Sequence, residues 1–325
     1  MKVLVVRQGL AERIRERLPE EIEIVTPQVG DDEELVGLAA DVDVIVSTRL
    51  SPEVALAAGN LKLLQKTGAG VDDMPFDALG PGVLVANTSG ANPVPMAEGA
   101  LALVLALAKR VVQRHMGFRI GRGGSRGVEL RGKRVGIIGM GSIGVEVAKR
   151  LRAFEMEVLA VRRNPDPELE ESLGLEFLGG RGDLERVMRE SDFVVVTVPL
   201  TPETRGMIGE KEIRLMKPTA FIVNVARAAI IQEEPLYRAL EEGRIAGAAL
   251  DVWWKPHWWD PVWNPEGLDA SRFPFWELAN VICTSHNIGS TDSQSDAGLE
   301  IMVENILRVR DGRPLINPVD KMLRY

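Results

Sequence analysis

Short apolar runs rich in valine, isoleucine and leucine punctuate this chain, and segments with apolar residues three and four apart lie between them. The first third reads as strands at 3–6, 21–25, 42–47, 61–66 and 83–86, with helices at 10–18 and 51–58. Ser51-Pro52 marks a helix start, since serine caps the first turn and proline fits inside it. A long helix over 97–112 follows. It is apolar on nearly every side, through Leu101, Leu103, Val104, Leu105 and Leu107, and must be buried in its own domain or against a partner. It is too short to cross a membrane. A polar, glycine-rich segment, 121–127, comes next.

From about residue 130 the alternation resumes. Strands are expected at 135–138, 157–161, 193–198, 220–224, 245–251 and 281–284, with helices at 144–154, 184–189 and 232–243. Strand, helix, strand with short connections gives a parallel, doubly wound sheet. A last helix, 291–310, most simply returns to the first domain. The expected fold is α/β, with a doubly wound parallel Rossmann sheet domain inserted in a smaller flavodoxin-like α/β substrate domain. The substrate domain takes 1–98 and 291–325; the dinucleotide-binding domain takes 99–290, including the linking helix.

Composition narrows the partners. A net charge of −8 argues against a general nucleic-acid or membrane-surface role, so an anionic substrate needs a local basic site. Cys283 is the only cysteine, which excludes an internal disulfide and fits a reducing cytoplasm. The apolar start, 1–6, is ended by Arg7-Gln8-Gly9 and reads as a strand, not a signal peptide. All six tryptophans lie between Trp253 and Trp276, among Pro256, Pro261, Pro265 and Pro274, in what reads as an ordered loop. No metal site is expected.

The strongest chemical signal is Gly139-x-Gly141-x-x-Gly144, directly after a strand and directly before a helical pattern. Gly139 allows the tight turn, Gly141 lets the backbone approach a phosphate, and Gly144 lets helix pack on strand. With Ser142 and Ile143 between them, these residues form a dinucleotide pyrophosphate cradle at a helix N-terminus. The end of the next strand selects the cofactor. Arg162-Arg163-Asn164 stands there, and no acid appears before Asp166. Guanidiniums pair with the 2′-phosphate of NADP, whereas an acid would take the ribose hydroxyl of NAD. NADP(H) is therefore expected to be preferred over NAD.

Several further segments resemble the D-isomer-specific 2-hydroxyacid dehydrogenase family. They are 197–209, 216–227, 247–252 and 283–289, together with 61–72 and 85–92, in the family's order over nearly the whole chain. The resemblance implies that Val198, Pro199 and Thr204 lie beside the adenine and ribose, and that Val225 and Gly289 line the cofactor. It places Asp251 near the nicotinamide carboxamide, with a structural turn acid as the alternative. Backbone N–H groups of Gly70 and Val71 would receive the substrate carboxylate, and Arg49 could reach a distal anionic group.

The physics of the reaction fits two catalytic residues. Arg227 lies just past the strand ending at 225, and its fork can hold carboxylate and carbonyl oxygens together. His286 follows the strand 281–284, and an imidazole of ordinary pKa near ~6.5 suits proton donation to a developing alkoxide. His115 reads as structural, His257 is undecided, and Cys283 is expected to be a buried strand residue.

One departure stands out. The family acid that pairs with the histidine lies five residues after the position of Asp251, and here that residue is Pro256. Asp260 and Glu266 are the two candidates in the same loop to take its place, and the sequence does not choose between them. Without a replacement, His286 is harder to protonate and reduction weakens at higher pH. A formate-oxidising branch of the family also lacks the acid, but its glutamine is absent here. The tryptophan loop is expected either to wall the nicotinamide or to pack at a subunit contact.

Together these features predict an enzyme of the cytoplasm that moves a hydride between NADP(H) and a D-2-hydroxy acid/2-oxo acid pair, and the resemblance implies a homodimer. Glyoxylate and hydroxypyruvate are the first substrates to consider. 3-Phosphoglycerate dehydrogenase is the alternative enzyme, and an NAD(P)-sensing binding protein or corepressor is the alternative of another class.

Overall fold

In the computed structural model, which describes residues 1–124, 126–255 and 270–324, the apolar runs form strands of two parallel sheets. The chain divides into one unit of Met1–Asn92 with Thr291–Tyr325 and a second, larger unit of Pro93–Ser290. This is an α/β architecture with the larger sheet inserted in the chain of the smaller.

The smaller sheet contains β1 (Lys2–Val5), β2 (Glu23–Val25), β3 (Val44–Ser47), β4 (Leu63–Lys66) and β5 (Leu84–Ala86), in the order β2-β1-β3-β4-β5. That is the flavodoxin-like order. Successive side chains leave opposite faces. Val3, Val5, Val44 and Val46 therefore join one core with Leu299, Met302 and Ile306 of the C-terminal helix Asp292–Arg310. Leu4, Ile45 and Leu64 join another with Val54 and Phe76. Polar groups fix the register of that last helix. Fully buried Asn305 donates to Gln65 Oε1 at 2.8 Å and to the Ile316 carbonyl at 3.0 Å.

The larger sheet contains β6 (Arg134–Ile138), β7 (Glu157–Val161), β8 (Phe177–Gly179), β9 (Phe193–Val196), β10 (Phe221–Asn224), β11 (Gly247–Leu250) and β12 (Val281–Cys283). Its order is β12-β11-β10-β9-β6-β7-β8, a doubly wound sheet whose direction of winding reverses between β6 and β9. One register row crosses it: Val161, Ile138, Val196, Asn224, Leu250 and Cys283 are successive partners. Every strand in that row ends there, so the loops that leave these strands lie along one carboxyl edge.

The long apolar helix starts earlier than its pattern suggested and stops sooner, at Pro93–Lys109. Arg110 has a left-handed φ of 52°, and a separate helix, Val111–Arg119, follows. Ala97, Ala100, Leu103, Val104 and Leu107 pack with Val147, Ala148 and Leu151 of the helix Ser142–Ala153. The long helix is thus buried within its own unit. Helices Asp32–Ala39, Pro167–Leu173 and Glu210–Leu215 and the short strand β8 lie where no regular element was expected.

Candidate active site

The nucleotide motif occupies the crevice at the switch point, where β6 hands over to the helix Ser142–Ala153. Gly139 has φ +108°, and a Cβ there would lie 2.7 Å from the Val198 side chain and 2.8 Å from its backbone nitrogen. A Cβ on Gly144 would lie 2.1 Å from the Gly139 carbonyl oxygen. Both positions are closed to any other residue. Gly141 is different: its Cβ would meet nothing within 4 Å. Space is thus left open in front of the helix N-terminus, where no side chain caps the first turn. A pyrophosphate fits such a place, since exposed helix N–H groups and the helix dipole both favour an anion.

Three expected residues lie at this turn, and Thr204 lies in the loop after β9. Ser142 and Ile143 open the helix. Val198 abuts Gly139. Thr204 donates its hydroxyl to the Pro199 carbonyl at 2.6 Å and accepts from the Thr201 N–H at 2.8 Å, which folds the loop after β9 back on itself. Arg162 and Arg163 follow β7 at the same edge. Arg162 Nη1 is 3.5 Å from the Asp166 carboxylate, and Arg163 Nη2 is 3.1 Å from Glu203.

The histidine turn is built at the other end of the row. His286 is exposed and has φ 56°, a left-handed conformation that costs an L-residue free energy. Asp251, only 1 % exposed, holds the turn in place. Its carboxylate accepts from the Thr284 hydroxyl at 2.6 Å and from the N–H groups of Asn287 and Ile288 at 3.2 and 3.3 Å. Burial pushes the Asp251 carboxyl above the usual range, and these hydrogen bonds oppose the rise. Trp253 adds an indole N–H to the Thr284 carbonyl at 2.9 Å. Asp251 is thus bonded into the histidine turn.

Gly289 also carries a packing duty. A Cβ there would lie 2.2 Å from the Met96 sulfur and 3.2 Å from its Cα. Conversely, a Cβ on Gly99 would lie 2.6 Å from the Ile288 carbonyl oxygen. Turn and helix Pro93–Lys109 interlock through two glycines.

Arg227 stands three residues beyond the end of β10, at the same carboxyl edge as Asp251 and His286. Buried Asn224 shapes its approach, accepting from the Ala226 N–H at 3.1 Å and donating to the Arg227 carbonyl at 3.0 Å. The Arg227 guanidinium donates to the Ala226 carbonyl at 2.9 Å. Val225, between Asn224 and Ala226, is buried. Asn224 was missed from sequence; an asparagine ending the apolar strand 221–224 was its only signal.

Within the smaller unit, Gly70, Val71 and Arg49 follow β4 and β3 at their carboxyl ends. Val71 is buried and anchors its loop in the core. Asn87 donates to the Ala69 carbonyl at 2.8 Å, and the Thr88 N–H to the Gly68 carbonyl at 3.2 Å. Arg49 leaves a turn in which its N–H donates to buried Ser47 Oγ at 3.2 Å. Lys66, 4 % exposed, links the two loops: its ammonium donates to the Asp73 carboxylate at 2.5 and 2.7 Å and to the Thr48 carbonyl. Sequence reasoning missed this pair, because a lysine ending a strand looks like any surface charge.

One expectation changes. Cys283 ends β12 exposed, not buried, although its apolar neighbours push the thiol up to about 12. Trp253 and Trp254 pack inside the larger unit on Phe275, Trp254 stacked at 5.1 Å and 12°. Pro256, His257, Asp260 and Glu266 lie outside the described residues. No cluster of metal-ligating side chains occurs among the described residues.

Residues 101–287 match the family described as D-isomer specific 2-hydroxyacid dehydrogenase, NAD binding domain. The chain is 35% identical over 328 residues to a glyoxylate reductase of Thermococcus kodakarensis, covering 96% of this chain and 93% of that protein. It is 35% identical over 328 residues to a D-3-phosphoglycerate dehydrogenase of Archaeoglobus fulgidus, covering 98% of this chain but 59% of that longer protein. A second such dehydrogenase, from Methanocaldococcus jannaschii, is covered over 55% of its length. Among solved structures, an NADPH-dependent glyoxylate/hydroxypyruvate reductase from Sinorhizobium meliloti, in complex with NADP and malonate, superposes with TM-score 0.83 at 26% identity. The match covers 99% of this chain and 97% of that one.

Proposed function

The chain belongs to the D-isomer specific 2-hydroxyacid dehydrogenase family, and from that premise we propose that it reduces short 2-oxo acids to D-2-hydroxy acids, with NADPH as preferred reductant. The observation that carries this reading is the single register row of the larger sheet. Beyond it stand the glycine cradle, the Arg162-Arg163 pair, Arg227 and the histidine turn, all along one edge.

A bound reduced nicotinamide supplies a hydride for the carbonyl carbon of the substrate. The residues do the rest. Gly139 and Gly144 allow the tight turn, Gly141 leaves room for the pyrophosphate, and the first turn of the helix Ser142–Ala153 gives it N–H groups. Val198, Pro199, Thr204 and Val225 line the dinucleotide. Arg227 binds carboxylate and carbonyl oxygens and draws electrons from the carbonyl carbon. His286 donates the proton that the alkoxide oxygen needs. Asp251 keeps the His286 turn in its left-handed form, and Gly289 keeps it against Met96. Gly70 and Val71 offer N–H groups to the substrate carboxylate, and Arg49 meets any distal anionic group.

The test is nicotinamide absorbance with purified protein, NADPH against NADH, over glyoxylate, hydroxypyruvate, pyruvate, phenylpyruvate and 3-phosphohydroxypyruvate. Turnover of glyoxylate or hydroxypyruvate with NADPH is expected. A clear preference for NADH removes the cofactor part alone. Dominance of 3-phosphohydroxypyruvate puts the phosphoglycerate dehydrogenase reading first, which the Archaeoglobus fulgidus relative favours. Silence with nucleotide still bound points to a sensor.

The same reading includes a homodimer in the cytoplasm. The segment from Val111 onward exposes Val111, Met116, Phe118 and Ile120, with Phe118 at 83 %. Exposed apolar surface of that kind marks an association face. Light scattering on a Phe118→Glu variant tests it: a dimer that persists excludes this face. No helix among the described residues is long and apolar enough to cross a membrane.

A further inference from the structure

Arg162 and Arg163 do not stand alone at their edge of the sheet. The Arg162 N–H donates to the Gly179 carbonyl at 3.1 Å, so the ends of β7 and β8 are side by side. Two residues past β8 comes Arg181. Its guanidinium bonds Glu203 Oε2, and Arg163 Nη2 reaches the same oxygen at 3.1 Å. Two forks from two different strand ends thus converge on one carboxylate oxygen, which the loop after β9 supplies. The same loop carries Thr204.

An anionic oxygen at the focus of two guanidiniums occupies the place a phosphate oxygen would take. We propose that Arg181 joins Arg163 in clamping the 2′-phosphate of NADP, and that Glu203 is the resident counter-ion which that phosphate displaces. The inference rests on the proposed NADP(H) preference and adds two residues that no sequence argument named. Charge supports it. Among the described residues, the ion pairs of Arg162, Arg163 and Arg181 take in two carboxylates, Asp166 and Glu203. That leaves a surplus of one positive charge, too little for a phosphate dianion while Glu203 stays. Release of Glu203 supplies the balance. The exposed pairs, 45 % and 52 % for Arg181 and Glu203, are screened by water and weakly held. The Glu203 carboxyl is held below its usual range by Arg181, as a resident counter-ion should be.

The design also separates the cofactors. NAD lacks the phosphate, so it leaves Glu203 in place between the arginines. NADP replaces one anion by a stronger one, with three oxygens for two forks. Selectivity is then a competition between Glu203 and the phosphate, set by a loop remote in sequence from Arg162-Arg163.

Calorimetric titration of the full chain with adenosine 2′,5′-bisphosphate and with 5′-AMP isolates this effect without turnover. The ratio of the 5′-AMP dissociation constant to that of the bisphosphate is the quantity to compare. Arg181→Gln is expected to lower that ratio about tenfold, the size of one lost charge-assisted hydrogen bond. Glu203→Gln is expected to raise it severalfold by removing the competitor. Binding of 5′-AMP by each variant shows that it is folded. A ratio within twofold of the parent in Arg181→Gln, or a fall in Glu203→Gln, overturns the proposal. A parent ratio near one sinks the NADP(H) preference itself. A large parent ratio that Arg163→Gln collapses but Arg181→Gln leaves intact preserves that preference and removes Arg181 from it.

Discussion

The glycine turn at 139–144 and the histidine turn at 284–288 lie on the same edge of one sheet, yet they are held by opposite means. The first is defined by what is missing. A Cβ on Gly139 or Gly144 would strike backbone, so the turn exists because nothing projects there. The second is defined by what is present. One buried carboxylate gathers a hydroxyl and two N–H groups and keeps an L-residue in a left-handed conformation. A cradle for a large anion needs space and unused donors. A proton donor needs a fixed direction, which only satisfied polar groups give in a loop.

Substitutions can break that contrast, and the largest effect is expected at Gly144. Gly144→Ala should cost about 3 kcal/mol or more in urea unfolding, since the obstacle is the Gly139 carbonyl and no flexible side chain can yield. A loss below about 1 kcal/mol would show that helix and strand can separate. Asp251→Ala comes next. It leaves the Thr284 hydroxyl and two N–H groups without their acceptor, and should cost about 2–3 kcal/mol in the same assay with a fall in turnover. Unchanged stability would mean that water replaces the carboxylate. At His286 the comparison is between two replacements. His286→Gly should be about 1 kcal/mol more stable than His286→Ala, because only glycine is relaxed at φ 56°. Both should lack turnover. Equal stability would remove the strain argument.

The smallest stability effect, and the sharpest functional one, is expected at Gly141. Its backbone is extended and its Cβ meets nothing, so Gly141→Ala should leave the unfolding free energy within about 0.5 kcal/mol of the parent. Nucleotide affinity, read by calorimetry, should still fall at least about tenfold, because the methyl takes the space left for phosphate. Full affinity in Gly141→Ala would place the pyrophosphate elsewhere.

The two turns also differ in how far the chain announces them. Glycine spacing is local, and 139–144 is readable from the residues themselves. So are most strands of both sheets, since buried apolar runs are local too. Arg227 and His286 follow from their places at strand ends. What fixes the histidine turn does not, because Asp251 lies 36 residues from Asn287. Glu203 and Arg181, 22 residues apart, belong to the same class. The break after Lys109 stayed hidden because nothing in a run of good helix formers signals the left-handed Arg110. The helix Pro167–Leu173 had a readable start, Asp166 accepting from the Leu169 N–H with Pro167 behind it, but its acidic surface gives little apolar period.

The C-terminal helix Asp292–Arg310 has a consequence for the order in which this protein is made. Val3, Val5, Val44 and Val46 are covered by a segment that is translated only after the whole larger unit. At the roughly 5–20 residues per second of translation, on the order of ten seconds or more pass between the end of β5 and the arrival of that helix. The larger unit, uninterrupted in sequence, can fold in that interval. Over the same seconds that face of the nascent smaller sheet is covered by Ala11 and Ile14 of the helix Gln8–Arg15 but not by Leu299, Met302 and Ile306, and it stays partly open to solvent until the helix Asp292–Arg310 arrives.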